Sequence, residues 1–207
     1  MFRPVRPLLG ALALTVTVAA CTTGVEVASP TRTFSGTERI DVGGRAVELI
    51  EVGPAHTAGD VLAWVPDERV VFTGDILFIE GTPIVWSGPV AHWIEACDRI
   101  LGLGASVIVP GHGPLTDTTG VRAVSEYLRT VDEGARVRHA AGMTATEAAL
   151  DLHRELDGTP WGSWRDRERL AVNVETIWTT LEPGHVRPSI TELFGRMATL
   201  ARPATAR

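Results

Sequence analysis

The sequence predicts a mixed α/β or α+β domain in which helices pack on a sheet. Short apolar, β-branched runs bounded by turn residues fill the chain from Glu38 to about Val109. Apolar residues at helical spacing occur once inside that region and then dominate from residue 118 onward. The 207 residues are 44% apolar and 21% charged, which is ordinary globular usage and enough for a core. Strands followed by helices are typical of this fold class.

The first 21 residues have the features of an export signal. Arg3 and Arg6 precede an uncharged apolar run over residues 7–20, which is long enough for a signal peptide and too short for an ordinary membrane-spanning helix. Small residues just before Cys21 resemble a lipobox. We therefore expect an exported lipoprotein, anchored to the membrane through acylated Cys21. The alternative is a buried segment of a shortened domain, with a cytoplasmic protein if the start is misassigned.

The strands are predicted from their patterning and their turns. Residues 22–35 are small and polar and are interpreted as a linker. Gly43 and Gly44 lie between two strand-like runs and indicate a hairpin, and residues 66–69 form a second turn. The predicted strands cover residues 40–42, 46–52, 61–65, 70–72 and 106–109.

The helices are predicted from periodicity and capping residues. Helical spacing of apolar residues covers residues 89–102, 118–140 and 166–181. Two further helices begin at capping boxes, one formed by Thr144 and Glu147 and the other by Ser189 and Glu192.

Charge and cysteine content exclude several classes of site. The net charge of −6 argues against a nucleic-acid partner. Cys21 and Cys97 are the only cysteines, too few for a cysteine-type zinc cage, and nothing supports a bridge between them. Cys97 lies in an apolar helical pattern, so we expect a buried free thiol.

Three loops share one arrangement, in which a ligand-type side chain follows an apolar strand and a glycine-containing turn. They carry His56, Asp75 and His112. Each residue by itself is typical of a turn or a cap, but the repetition favours a common site. If the strands are neighbours, two imidazoles and one carboxylate converge at one sheet edge. That set suits zinc, and iron or manganese accept the same donors.

The blocks Gly-Pro-Ala-His56-Thr-Ala-Gly-Asp, Val-Val-Phe-Thr-Gly-Asp75 and Val-Pro-Gly-His112-Gly-Pro resemble the later motifs of the metallo-β-lactamase superfamily. The resemblance covers roughly residues 30–182. It implies a four-layered αββα sandwich and a zinc hydrolase whose metal-bound hydroxide attacks an ester, thioester, amide or lactam of a small-molecule substrate. By the same resemblance, His56 is the third histidine of the first metal site, Asp75 the bridging carboxylate and His112 the last histidine of the second site.

The chain departs from that family in one respect, because the family's His-x-His-x-Asp-His motif is absent. Four metal ligands then have no counterpart, so we expect one ion at most. We expect residues 36–182 to form an incomplete sandwich, its second half, and residues 183–207 to form a carboxyl-terminal helix and tail. An uncovered sheet face would favour self-association. A weak hydrolase and a truncated or degenerate, non-catalytic exported protein both remain open.

Two residues near His56 are candidates for supporting roles. Asp60, with Thr57 beside it, either hydrogen-bonds a metal-binding imidazole or only shapes the turn. The remaining histidines are expected to lie on the surface, namely His92 on the first helix and His139, His153 and His185 in or beside the later helices.

Overall fold

The computed structural model describes residues 28–201. The chain divides into two units between Thr33 and Phe34, and every strand and helix described here lies in the second. Cys21 lies outside the described residues, so the lipoprotein assignment stays a prediction. Within residues 28–201, no helix combines the length and apolarity needed to cross a membrane.

The sheet has five strands that lie side by side in the order of the sequence. The first four pair antiparallel, and the fifth pairs parallel to the fourth after a helical crossover. All five predicted strands are confirmed, although the first begins earlier than predicted. Their bounds are β1 Thr37–Val42, β2 Arg45–Glu51, β3 Val61–Val65, β4 Val70–Phe72 and β5 Val107–Val109.

The described residues form five α-helices, and their caps explain where several begin. Thr144 and Ser189 each form the predicted capping box with the glutamate three residues later. One boundary was predicted wrongly, because Asp166 adopts a left-handed conformation and residues 167–169 form a 3₁₀ turn before the helix. The bounds are α1 Val90–Gly102, α2 Thr118–Ala140, α3 Ala145–Glu155, α4 Leu170–Leu181 and α5 Ile190–Leu200.

One face of the sheet packs against the helices and forms the core. Cross-strand partners share a face, so the register places one set of alternating residues on this inner side. Five members of this set are buried and line the core: Ile50, Leu62, Trp64, Val71 and Ile108. Cys97 is fully buried among the helices as a free thiol, as predicted. Burial raises the pKa of that thiol to about 12, so it is neither a nucleophile nor a metal ligand at neutral pH.

The opposite side of the sheet, called here the outer face, carries mostly apolar side chains. Three of its side chains are exposed by 55%, 47% and 37%, namely Val42, Phe72 and Val107. Part of the face forms an apolar groove of about 440 Å³. None of its apolar members is buried: Ile40, Val42, Val47, Leu49, Val61, Ala63, Val65, Val70, Phe72, Val107 and Val109. The described residues therefore leave apolar surface accessible on this side of the sheet.

Candidate metal site

The sheet topology brings the three motif loops to one edge. Strands β4 and β5 are parallel, and Phe72 pairs with Val109, so the segments after both strands leave the sheet side by side. Strand β3 is antiparallel to β4, so its start lies at the same edge, together with the end of β2. The β2–β3 loop carries His56, the segment after β4 carries Asp75 and the segment after β5 carries His112.

Asp60 organises the loop that holds His56. Its carboxylate accepts hydrogen bonds from the backbone amides of Ala55 (3.0 Å) and Thr57 (3.0 Å) and from the Thr57 hydroxyl (2.7 Å). The partner of the His56 ring at Nδ1 is instead the carbonyl oxygen of Ile84, at 2.8 Å. Asp60 and Thr57 therefore support the site through the loop backbone rather than by touching the imidazole.

Replacing Asp60 with alanine is expected to destabilise the fold by about 1–2 kcal/mol, the usual cost of removing an Asx-type cap. The variant loses three hydrogen bonds around His56 at once. Urea unfolding of the full chain measures the change. Asp67→Ala, an exposed turn aspartate between β3 and β4, is the matched control and should be close to neutral. Equal unfolding midpoints for both variants would contradict the role of Asp60.

Close backbone packing holds the Asp75 and His112 segments together. The Gly111 amide donates to the Gly74 carbonyl oxygen at 2.8 Å, and the His112 amide donates to Leu77 at 3.3 Å. A Cβ atom at Gly111 would lie 2.4 Å from Oδ1 of Asp75, so only glycine allows this approach. The glycine in the predicted turn before His112 is therefore required for this close contact.

The three predicted ligands meet around the carboxylate of Asp75. His56 Nε2 lies 3.6 Å from Oδ2, and His112 Nε2 lies 3.3 Å from Oδ1. The His56 side chain is 12% exposed, whereas Asp75 (44%) and His112 (53%) face solvent. These contacts are pairwise, and no three His, Cys, Asp or Glu side chains in residues 28–201 are placed as a ready metal-binding group.

The donor chemistry of these contacts fits a cation. A carbonyl oxygen only accepts, so Nδ1 of His56 donates to Ile84, and Nε2 is the ring nitrogen that faces Asp75. The 3.6 Å separation between Nε2 and Oδ2 of Asp75 is too long for a hydrogen bond. Imidazole nitrogen and carboxylate oxygen are donor types that zinc accepts, so His56, Asp75 and His112 would be the side chains to hold such a cation.

Aromatic rings surround the two histidines. Phe78 stacks on His112 with ring centroids 4.3 Å apart and an interplanar angle of 15°. Phe78 and Trp93 both lie beside His56, at 5.8 Å and 5.7 Å. Trp93 is fully buried and its indole donates to the Ile76 carbonyl oxygen at 2.8 Å. Neither Phe78 nor Ile84 could be predicted as part of the site, since neither is a ligand-type residue.

The other histidines lie away from this site. His92 is exposed on α1, as predicted. His139 contacts Glu182 and the edge of Trp178. His185 was expected on the surface, but its side chain is only 19% exposed because it bridges Glu182 and the buried Glu175. Burial, together with nearby Arg167, lowers the pKa of His153.

Sequence comparisons connect this geometry with one family. The family model described as the metallo-β-lactamase superfamily matches residues 11–112. The beta-lactamase-like protein 2 homolog of Caenorhabditis elegans is 35% identical over 43% of this chain and 29% of its own length. The hydroxyacylglutathione hydrolase of Brucella ovis is 29% identical over 66% of this chain and 54% of its own length. The chain thus spans about a third to a half of these relatives.

A comparison with solved structures supports the fold. The inverting sec-alkylsulfatase Pisa1 from a Pseudomonas species superposes with a TM-score of 0.57 at 17% identity. The superposition covers 78% of this chain and 28% of the sulfatase. At that identity the two proteins share an arrangement of strands and helices, and the similarity carries no information on the reaction.

Proposed function

Because the chain belongs to the metallo-β-lactamase superfamily, we propose that it is a metal-dependent hydrolase with its cation at the sheet edge. His56, Asp75 and His112 would hold one ion, zinc by preference, with iron or manganese as alternatives. The observation that carries the proposal is the approach of both imidazole Nε2 atoms to the two oxygens of Asp75.

The bound cation would supply Lewis-acid polarisation of a carbonyl and activation of a water molecule. The chain's own residues define how a substrate arrives. The Ile84 carbonyl oxygen accepts a hydrogen bond from Nδ1 of His56, so the lone pair of Nε2 would be available to the cation. The exposed sides of Asp75 and His112 leave the edge open to a small molecule from solvent.

The substrate class follows from the kind of hydrolase rather than from a pocket. The relative in Brucella ovis is named as a hydrolase of hydroxyacylglutathione. That name favours an acyl substrate, so an ester or thioester is the first choice, with an amide or lactam next. Export and anchoring through an acylated Cys21 would place this activity at a membrane surface, and that localisation is part of the proposal.

The test is the metal content of the purified chain beside an Asp75→Ala/His112→Ala double variant. We expect about one tightly held ion per wild-type chain, and none in the variant, because it keeps one of the three ligands. Metal analysis after dialysis measures this, and circular dichroism checks that both proteins fold. His92→Ala/His153→Ala is the matched control, since it removes two histidines outside the site, and it should keep the ion.

Turnover separates the hydrolase from its alternative. Metal-loaded protein that cleaves an aryl ester or a thioester, with the double variant inactive, supports the hydrolase. A held ion without turnover on ester, thioester, amide or lactam supports the non-catalytic alternative, which the absent His-x-His-x-Asp-His motif favours. Wild-type protein that retains no metal contradicts the proposed site.

A further inference from the structure

We propose that Phe78 is a positioning residue that orients the His112 imidazole and supports that of His56, and that Arg169 holds Phe78 in place. The inference rests on the proposed function, because orientation matters only if these rings bind a cation. It begins from a difference between the two histidines. Nδ1 of His56 is fixed by the Ile84 carbonyl oxygen, whereas no described residue hydrogen-bonds Nδ1 of His112.

The stacked ring of Phe78 takes the place of that missing hydrogen bond. The two rings are nearly parallel, with centroids 4.3 Å apart. The backbones are also locked in register, since Ile79 donates to the His112 carbonyl oxygen at 2.9 Å and His112 donates to Leu77 at 3.3 Å. With the backbone fixed and one face covered, the stack fixes the plane of the His112 ring. In that plane the Nε2 atom lies 3.3 Å from Oδ1 of Asp75.

Phe78 also contributes to the wall around His56. Its ring lies 5.8 Å from His56 in a tilted arrangement and 6.5 Å from Trp93. The side chain is only 3% exposed, so it cannot move away without opening the core. One buried ring thus contacts both imidazoles that face Asp75. A displacement of Phe78 would therefore change the positions of both imidazoles.

Arg169 holds Phe78 from the side of the carboxyl-terminal helices. Its guanidinium carbon lies 5.4 Å from the centre of the Phe78 ring, within the range of a cation–π contact. The guanidinium also donates to the Thr82 carbonyl oxygen at 3.0 Å and pairs with Asp166 at 2.9 Å. Arg169 immediately precedes α4, so Arg169 and Phe78 connect the start of that helix with His112.

The experiment is a Co²⁺ titration of the full chain, followed by visible absorption, with Phe78→Leu as the main variant. Leucine keeps an apolar group in the core but removes the aromatic face. We expect roughly tenfold weaker Co²⁺ binding, the size typical for groups that orient a ligand, and an altered absorption band. Arg169→Met should show a smaller loss in the same direction, and Arg169→Lys, which keeps a cation, should recover part of it.

A control separates positioning from general stability. Trp178→Leu removes another buried aromatic ring, which packs against His139 rather than against either histidine of the site. It should lower the unfolding temperature without changing the Co²⁺ band. If Phe78→Leu binds Co²⁺ with wild-type affinity and an unchanged band, Phe78 only fills space and the proposal is overturned.

A metal-free measurement keeps this proposal distinguishable from the proposed function. In wild-type protein, the ring current of Phe78 should shift the His112 ring protons upfield, and Phe78→Leu should remove that shift. If wild-type chain binds no Co²⁺ but the shift is present, the metal-dependent function fails while the stack is supported. If the His112 protons are at ordinary positions in wild-type protein, the positioning role fails whatever the metal result.

Discussion

Gly111→Ala is expected to weaken metal binding strongly and to destabilise the fold, although it adds only one methyl group. The new Cβ would lie 2.4 Å from Oδ1 of Asp75 and 2.6 Å from the carbonyl group of Gly74. Neither neighbour can yield easily, because one is a carboxylate that lies between two imidazoles and the other is backbone. The chain must therefore separate the two segments that carry Asp75 and His112.

The expected size of this effect follows from overpacking. Forcing a methyl group into a filled space costs about 1–3 kcal/mol of unfolding free energy. A displaced ligand segment weakens metal affinity by roughly 10–100-fold, as the loss of a supporting group does. Gly111 does not adopt a left-handed backbone conformation, so alanine is not excluded by its own geometry and the whole effect comes from the neighbouring atoms.

Gly59→Ala is the matched control for this variant. Gly59 lies in the neighbouring loop that carries His56, yet a Cβ there meets no atom within 4 Å. Metal content and thermal unfolding are measured for both variants beside the wild-type chain. Gly59→Ala should retain the ion and its stability. The explanation fails if Gly111→Ala retains both as well, since the Asp75 segment would then be free to move aside.

Most of the fold could be predicted because its signals are local. The hairpin at Gly43 and Gly44 and the capping boxes at Thr144 and Ser189 are written in adjacent residues, and each appears in the structure. The start of α4 was missed because Asp166 adopts a positive φ that no residue pattern announces. The parallel pairing of β4 with β5 depends on the crossover through α1 and was not specified by the strands themselves.

The candidate site divides in the same way. Side chains that bind metals are recognisable types, so His56, Asp75 and His112 could be chosen from the loops that carry them. Their supports are of other kinds. The Ile84 carbonyl lies 28 residues from His56 in sequence. Any residue type supplies a backbone oxygen, so the sequence does not indicate which residue accepts this hydrogen bond. Phe78 looks like any core residue until the parallel bridge to His112 brings the two rings together.

The second large effect is expected on the outer face of the sheet, where Phe72→Lys should suppress self-association of the chain. The outer face is apolar across all five strands, and none of its apolar side chains is buried. Two sheets pack face to face about 10 Å apart when each offers such a surface, and a second copy of this chain offers an identical one. We therefore expect wild-type chain to associate in a concentration-dependent manner.

Phe72 is the appropriate residue to change, because it is 47% exposed and lines the groove on this face. Burying a phenylalanine contributes about 2 kcal/mol, so its loss should weaken association roughly thirtyfold, and the lysine charge should weaken it further. Folding stability should change little, since the side chain is not part of the helix-covered core. Sedimentation velocity over a range of concentrations measures the association.

The Val137→Lys variant tests whether association depends on the outer face or on exposed apolar surface in general. Val137 is 69% exposed on α2, so the variant introduces the same charge and also removes exposed apolar surface, but on a helix. It should associate as the wild-type chain does, while Phe72→Lys should be largely monomeric. If the wild-type chain sediments as a monomer at high concentration, the outer face does not mediate self-association. Equal suppression by both variants would mean that association does not depend on this face.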